Sequence, residues 1–365
     1  MATLLGLVSV ISSGCSTLSG SQTVHVEAET TRGGPLSTPT TLEGSPTTTE
    51  DCKQARLSPD SGRNQAPLAL GAFVRGIEEE PSKIDQYIDT VGDKPAIAML
   101  YQNWENESEF DRAMLNAMTS RGIVPMLTWA PRDPVKGKKQ REYSLQKIAR
   151  GRYDLYVRRW AREAAEWGEP LQLRFAHEMN ANLYPWGLGV SGNTSADYVA
   201  AWRHIHDIFT QEGASNVQWV WSPLADTPTS KAVLERLYPG DDYVDWMALD
   251  GYNWGTEGPA LQEWRTVAEI FGPSYDKLAG ISDKPMMIAE VASAEGGGNK
   301  ALWIRDGLLK DVPSRLPRVR AVVWFDSNKI MDWRVNSSPD SLEAYKDVAT
   351  SCLYAAEKGG YNSPH

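Results

Sequence analysis

The sequence predicts a (β/α)8 barrel, also called a TIM barrel, in a single α/β domain. Eight short apolar stretches of strand length follow one another from Pro67 onward, and longer amphipathic stretches separate them. The eight units occupy about 290 residues, close to the size of about 250 residues that is usual for this barrel. The predicted strands begin at Pro67, Pro95, Val124, Leu171, Val217, Asp245, Pro285 and Arg320.

The stretches between the strands have helical patterns with recognisable ends. One begins at Ser108 with an acidic first turn and stops at Gly122, and another follows the capping residues Asn193–Ser195 and stops at Gly213. A third helical pattern is "NKALWIRDGLLKDV". A doubly wound open sheet is the alternative fold, but "GAFVRGIEEE" after the first strand lacks the glycine-rich turn typical of that fold.

Composition restricts the partners that the chain can have. The 365 residues are 41% hydrophobic and 23% charged, which is ordinary for a soluble globular protein. The 37 Lys+Arg and 47 Asp+Glu residues give a net charge of −10, and no long basic run is present, so nucleic acid is excluded as a partner. Five histidines without a cysteine cluster predict neither a metal site nor a cofactor. We expect a monomer.

The first part of the chain differs from the rest. Leu4–Ile11 is an apolar run of signal-peptide length, and Cys15 follows it in "SSGC", which resembles a bacterial lipoprotein signal although no Lys or Arg precedes Arg32. We therefore expect a leader over residues 1–15 with Cys15 as the lipid anchor, and a secreted or extracytoplasmic protein. Residues 16–65 read as a Ser/Thr/Pro-rich tether, 66–355 as the barrel and 356–365 as a tail.

Two further cysteines flank the predicted barrel. Cys52 precedes it and Cys352 lies near its end. In an oxidising compartment they either join the two termini of the domain in a disulfide bond or remain as two thiols. The sequence leaves both alternatives open.

The fourth strand, in "LQLRFAHEMN", carries unusual charge for a buried strand. Catalytic residues of this barrel lie at the C-terminal ends of its strands, where Arg174, His177 and Glu178 crowd. Period-2 alternation predicts that Arg174, Ala176 and Glu178 share a face, which places Glu178 at the barrel mouth. Arg174 is expected to pair with a carboxylate, because a buried arginine requires a partner.

The seventh strand repeats this arrangement. In "PMMIAEVAS", alternation predicts that Met286, Ile288 and Glu290 share a face, and Glu290 is the only charge of the run. Glu178 and Glu290 then face one another across the mouth. Paired carboxylates suit glycoside hydrolysis, in which one is protonated and the other attacks the anomeric carbon. A strand-end salt bridge is the alternative for each glutamate alone.

Four stretches in this order, "RFAHEMN...YPWG", "DWMALDGYNWG", "PMMIAEVAS" and "VVWFDSNK", resemble the retaining endo-β-glycanases of glycoside hydrolase family 26. The resemblance covers about residues 66–355. It implies that Glu178 is the general acid/base and Glu290 the nucleophile, with no cofactor.

The resemblance also implies roles for residues around the glutamates. His177 and Asn180 would flank the acid, Tyr252 would hydrogen-bond the nucleophile, and Trp324 would form an aromatic floor under the sugar. From their positions at strand ends, three further tryptophans either extend the cleft or pack in the core: Trp129, Trp186 and Trp254. Asp250 shares a face with Tyr252 and either touches substrate or makes an internal hydrogen bond.

One position departs from the family pattern. An aromatic residue usually stands just before "YPW", and this chain has Leu183 there, which predicts weaker or reshaped sugar binding beside the acid/base. The expected substrate is β-1,4-mannan, with β-1,3-1,4-glucan and β-1,3-xylan as alternatives within the family. A non-catalytic carbohydrate-binding lipoprotein is the alternative from another class.

Overall fold

The computed structural model describes residues 67–258 and 263–354. Eight parallel strands form a closed barrel in the order β1 to β8, with β8 paired to β1. The predicted (β/α)8 barrel is therefore confirmed, and every predicted strand is present. The strands are β1 Ala69–Val74, β2 Ile97–Asn103, β3 Val124–Ala130, β4 Leu171–Phe175, β5 Val217–Trp221, β6 Trp246–Asn253, β7 Met286–Ser293 and β8 Val319–Asp326.

Helices surround the sheet. They are α1 Lys83–Val91, α2 Arg112–Thr119, α3 Leu145–Ala149, α4 Asp154–Trp167, α5 Ser195–Gln211, α6 Lys231–Leu237, α7 Val267–Ala279, α8 Lys300–Asp306, α9 Val312–Arg315 and α10 Pro339–Ala349. A π-helical segment, Gly307–Asp311, joins α8 to α9, so the predicted third helical pattern is interrupted. Short 3-10 turns lie at Glu105–Glu107, Arg141–Tyr143, Val190–Gly192 and Asp241–Tyr243.

Two helix starts show how the caps work. Helix α5 begins after Thr194, whose hydroxyl accepts from the amide of Asp197 while the Asp197 carboxylate accepts from the Thr194 amide, a reciprocal capping box. The α2 helix begins later than predicted, because Ser108 is extended and Asp111 is the residue that caps the Met114 amide at 3.0 Å. The acidic residues before Asp111 therefore belong to the preceding loop.

The core has two layers that follow from strand alternation. Side chains of one parity fill the barrel, and those of the other parity pack against the helices. The buried apolar side chains inside the barrel are Ala69, Phe73, Ile97, Met99, Met126, Val220, Trp246, Ala248, Met287, Ala289, Ala321 and Val323. Most of the fully buried tryptophans, such as Trp129, Trp160 and Trp324, lie in the outer layer.

Several sequence predictions concern residues outside the described part. The leader (1–15), the tether (16–65) and the tail (356–365) lie there, as do Cys15 and Cys52. Cys352 is described and is part of a disulfide bond. Its pairing with Cys52 stays a prediction. Within residues 67–258 and 263–354, none of the helices has the length and apolar character needed to cross a bilayer.

Candidate active site

Arg174 lies at the centre of the barrel mouth and is 0% exposed. Alternation along β4 turns Leu171, Leu173 and Phe175 toward the helices, so Arg174 points inward. Its Nη1 lies 2.7 Å from Oε1 of Glu290, and its Nη2 donates to the same oxygen at 2.5 Å and to Oδ2 of Asp250 at 3.0 Å. One buried guanidinium thus binds two carboxylates.

Glu290 reaches this position through a β-bulge. Against β6, Leu249 pairs with Ile288 and Asp250 pairs with Glu290, so Ala289 is an extra residue. The bulge resets the alternation, because Met287 and Ala289 point into the barrel and Glu290 also does, whereas Ile288 packs in the outer layer. The prediction that Met286, Ile288 and Glu290 share a face is therefore wrong.

Two tyrosines complete the environment of Glu290. Tyr101, at the end of β2, donates from its hydroxyl to Oε1 at 2.7 Å, and Tyr252 donates to Oε2. The family resemblance implied the role of Tyr252, but the sequence analysis did not identify Tyr101. Tyr101 alternates with Ile97 and Met99, which point into the barrel, and it lies at the C-terminal end of β2. This position could have identified it.

Glu178 lies beyond the end of its strand. Strand β4 stops at Phe175, and Ala176 and Glu178 both have left-handed backbone, with φ of 46° and 53°. The amide of Glu178 donates to the carbonyl of Ser222 at 2.7 Å, which ties this loop to the end of β5. The predicted continuous face over Arg174, Ala176 and Glu178 is thus wrong, although the Glu178 carboxyl still lies near Asp250 and Glu290. Strained backbone of this kind is typical of functional sites.

The environment of Glu178 favours its protonated form. Burial raises the pKa of Glu178 well above its usual range, and the negative charges of Asp250 and Glu290 raise it further. Arg174 and a hydrogen bond with Tyr184 oppose the increase. Burial also raises the pKa of Asp250, against the lowering effect of Arg174. The site therefore holds a protonated Glu178 near Glu290, which Arg174 binds through both of its terminal nitrogens.

His177 is buried beside the acid. Its ring lies 4.7 Å from the ring of Tyr184 and 5.6 Å from that of Trp186, measured between centroids. Neither ring nitrogen has a hydrogen-bond partner within the described residues. Burial and the Arg174 charge lower the pKa of His177, so the imidazole is neutral. One ring nitrogen is then a donor and the other an acceptor, and both are buried.

Asn180 links the loop after β4 to the loop after β5. Its Nδ2 donates to the carbonyl of Leu224 at 2.9 Å and to Oγ1 of Thr227 at 2.7 Å, and its Oδ1 accepts from the Leu224 amide at 2.8 Å. Both ends of the amide are therefore bonded to residues 224–227, in the loop between β5 and α6. The amide of Asn180 is thus held by this loop, and its contact with substrate stays a prediction.

Three of the four predicted cleft tryptophans are buried. Trp324 and Trp129 belong to the outward parity of β8 and β3 and pack among helix side chains, so Trp324 is not the sugar floor. Trp186 stacks behind Tyr184, at 4.8 Å, and donates to the His177 carbonyl. Trp254 alone of the four is partly exposed, at the end of β6. Phe325, the inward neighbour of Trp324, is also partly exposed and lies 5.7 Å from Tyr252.

Leu183 is 53% exposed on the loop after β4. Its side chain therefore presents an aliphatic surface next to Tyr184, where the family pattern has an aromatic plane. Among the described residues, no group of three or more His, Cys, Asp or Glu side chains is placed to hold a metal ion.

Two inward glutamates at the C-terminal ends of β4 and β7 define a barrel of the glycoside hydrolase class. The family model described as "Glycosyl hydrolase family 26" matches residues 140–305. This match assigns residues 140–305 to glycosyl hydrolase family 26.

Similar proteins include enzymes with different substrate names. Endoglucanase H of Acetivibrio thermocellus is 38% identical over 289 residues, which cover 79% of this chain and 31% of the relative. A mannan endo-1,4-beta-mannosidase of Caldalkalibacillus mannanilyticus is 32% identical over 190 residues, covering 49% and 32% respectively. The chain thus spans about a third of the length of these curated relatives.

The solved structures support the fold. The catalytic domain of the Bacillus sp. JAMB-750 GH26 endo-beta-1,4-mannanase matches with a TM-score of 0.63 at 16% identity, covering 81% of this chain and 90% of that domain. At this identity the similarity shows that both chains form the same barrel.

Proposed function

We propose that this protein is a retaining, endo-acting glycoside hydrolase of β-linked polysaccharides, with Glu178 as general acid/base and Glu290 as nucleophile. One observation carries the assignment of roles. Glu290 accepts hydrogen bonds from Arg174, Tyr101 and Tyr252, which favour a carboxylate, whereas burial and neighbouring charge raise the pKa of Glu178. The two carboxyl groups therefore suit opposite tasks.

In the first step, Glu290 attacks the anomeric carbon while Glu178 transfers its proton to the glycosidic oxygen. The bond between that oxygen and the anomeric carbon breaks, and the leaving saccharide departs with the proton. Arg174 and the two tyrosines hold the attacking carboxylate in place as its charge decreases. The product is a covalent glycosyl-enzyme.

In the second step, Glu178 is ionised and acts as a base. It takes a proton from a water molecule whose oxygen attacks the anomeric carbon, and the bond to Glu290 breaks. Glu178 is protonated again and Glu290 is again a carboxylate. Two displacements at one carbon give retention of configuration.

The proposed substrate is β-1,4-mannan, in keeping with the mannanase relatives and structural neighbours. Mixed-linkage or β-1,4-linked glucan is the second candidate. Two observations favour it: the long match to a protein named endoglucanase H, and the exposed aliphatic Leu183 in place of an aromatic plane beside the acid/base. An aliphatic side chain offers a sugar ring less stacking surface than an indole.

Release of reducing ends tests the proposal on mannan, mixed-linkage β-glucan, cellulose and β-1,3-xylan. Activity on one of these with first-formed products of retained configuration, observed by proton NMR, supports it. Retention requires the two carboxyl groups to lie about 5–5.5 Å apart. Inverted products contradict the mechanism, and binding of a glycan without any turnover supports instead the carbohydrate-binding lipoprotein.

We also propose that the protein is exported and anchored through Cys15. The disulfide bond of Cys352 supports an oxidising compartment, and a polymeric substrate is met outside the cell. Fractionation of a bacterial host, with Cys15→Ser as the control, tests the anchor: the protein should leave the membrane fraction in the variant. Peptide mapping of the exported protein should show Cys352 linked to Cys52; a free Cys52 contradicts the pairing.

A further inference from the structure

Lys300, the first residue of α8, is a buried cation outside the catalytic cluster. It is 1% exposed, and its ammonium group donates to the carbonyl of Arg334 at 2.8 Å and to Oγ of Ser337 at 2.7 Å. The carbonyl of Asp332 lies 3.5 Å away. All three acceptors belong to residues 327–338, the segment between β8 and α10, which we call the β8 loop. One ammonium group therefore fastens this loop to the start of α8.

Four carboxylates act electrostatically on Lys300. Glu295 precedes α8 and accepts from the hydroxyl of Ser337 at 2.6 Å, so it binds the same part of the loop. Burial lowers the pKa of Lys300 to about 8. Glu295 opposes this decrease, as do Asp326 on β8, Asp332 on the β8 loop and Glu257 after β6. Burying an ammonium group is costly unless it is hydrogen-bonded and near opposite charge, and Lys300 has both kinds of partner.

The fastened loop carries Trp333 between the two carbonyl groups that Lys300 approaches. Trp333 is buried, and its ring lies 5.2 Å from that of Tyr252 and 5.0 Å from that of Trp254. Its amide donates to the Ser327 carbonyl at 2.8 Å, and its carbonyl accepts from Nε1 of Trp324 at 2.9 Å. The backbone of Trp333 is thus held on both sides, and its indole packs against the ring of Tyr252.

We propose that Lys300 is a positioning residue for the nucleophile. It holds the β8 loop so that Trp333 packs against Tyr252, and Tyr252 in turn holds Glu290 through its hydroxyl. The inference rests on the proposed function and extends it to a residue of α8 that lies outside the catalytic cluster. The ring of Trp254 also contacts Trp333, so the same loop helps to position Trp254.

The variant Lys300→Met removes the charge and keeps most of the volume. We expect kcat to fall about tenfold or more while folding is retained, because a tyrosine that is free to move binds Glu290 less well during attack. An activated aryl glycoside, which needs no proton from Glu178, should not restore the rate. The matched control is Lys310→Met in the π-helical segment, where the lysine side chain is 73% exposed and pairs with Asp306. This control should keep the wild-type kcat.

A double-mutant cycle with Tyr252→Phe separates positioning from general destabilisation. If Lys300 acts through Tyr252, the loss in kcat in the double variant is smaller than the product of the two single losses. Independent, multiplicative losses overturn the proposal, as does an unchanged kcat in Lys300→Met. If Lys300→Met does not fold, Ser337→Ala takes its place in the cycle, because this variant removes one hydrogen-bond acceptor of Lys300. A wild-type protein inactive on every glycan refutes the proposed function instead, a result distinct from multiplicative losses in an active enzyme.

Discussion

Arg174 gives both of its terminal nitrogens to a single oxygen of Glu290, at 2.7 Å and 2.5 Å, and leaves the second oxygen of that carboxylate to Tyr252. The same guanidinium binds Asp250 at 3.0 Å. Arg174 therefore binds two buried acids and also orients one of them. An arginine suits this role because its planar group offers several donors in fixed directions.

Removal of Arg174 should strongly destabilise the fold. In Arg174→Met, Asp250 and Glu290 lose their buried counter-charge, and we expect the free energy of unfolding to fall by about 3–5 kcal/mol. The control Arg305→Met breaks an ion pair with Asp347 in which both side chains are substantially exposed, and it should cost less than about 1 kcal/mol. Denaturant unfolding measures both values, and equal losses would show that the buried cluster has no special weight.

The two glutamates should respond differently to the leaving group. In Glu178→Ala, a substrate with an activated leaving group should still form the glycosyl-enzyme, and azide should restore turnover because a small anion attacks without a general base. In Glu290→Ala, the attacking atom itself is absent, so the activated substrate gives no comparable advantage. Each variant should lose several kcal/mol of transition-state stabilisation on polysaccharide, about 10²-fold or more in kcat/KM.

Steady-state rates with and without azide distinguish the roles, together with identification of the glycosyl azide product. Rescue of Glu290→Ala alone would reverse the assignment. Wild-type activity in both variants would place the chemistry elsewhere in the barrel.

Strand periodicity was sufficient to predict the barrel and the approximate sites of Glu178 and Glu290. It could not show the final direction of either side chain. For Glu290 the reason is the bulge at Ala289, an extra residue that depends on how β7 pairs with both of its neighbours. For Glu178 the reason is the left-handed backbone after Phe175, which none of the residue types in "AHE" predicts.

The tryptophans show a second limit. Trp324 and Phe325 are adjacent aromatic residues, and a shift of one residue decides which of them enters the barrel. The inward residues of β8 are Ala321 and Val323, and alternation from them makes Phe325 inward. Because Val322 is as apolar as these two residues, the sequence of β8 does not show which set points inward. The inward position of Phe325 was therefore visible only once all eight strands were in register.

The pH profile should respond to Asp250. Its negative charge raises the pKa of Glu178, so Asp250→Asn should allow Glu178 to ionise at lower pH, and the Arg174 charge thereby released acts in the same direction. Because catalysis needs protonated Glu178, the alkaline limb of kcat/KM should move to lower pH. Asp347→Asn, at an exposed ion pair, is the control and should leave the limb in place. A limb that stays, or moves to higher pH, contradicts the proposed coupling.

Glu178 should also lower the stability of the protein at neutral pH. In the folded chain the pKa of Glu178 is raised above its usual value of 4.5, which applies to the unfolded chain. At a pH between the folded-state and unfolded-state pKa values, the folded chain binds more protons than the unfolded chain, so stability falls as pH rises. Glu178→Gln resembles the protonated acid in shape but does not titrate. We expect this variant to be more stable than wild type by about 0.5–2 kcal/mol at pH 7, with the difference vanishing near pH 4. Glu235→Gln, at an exposed pair with Lys231, should show no such gain. Thermal unfolding from pH 4 to pH 8 measures the difference; a gain that is constant across this range would mean that ionisation of Glu178 is not its source.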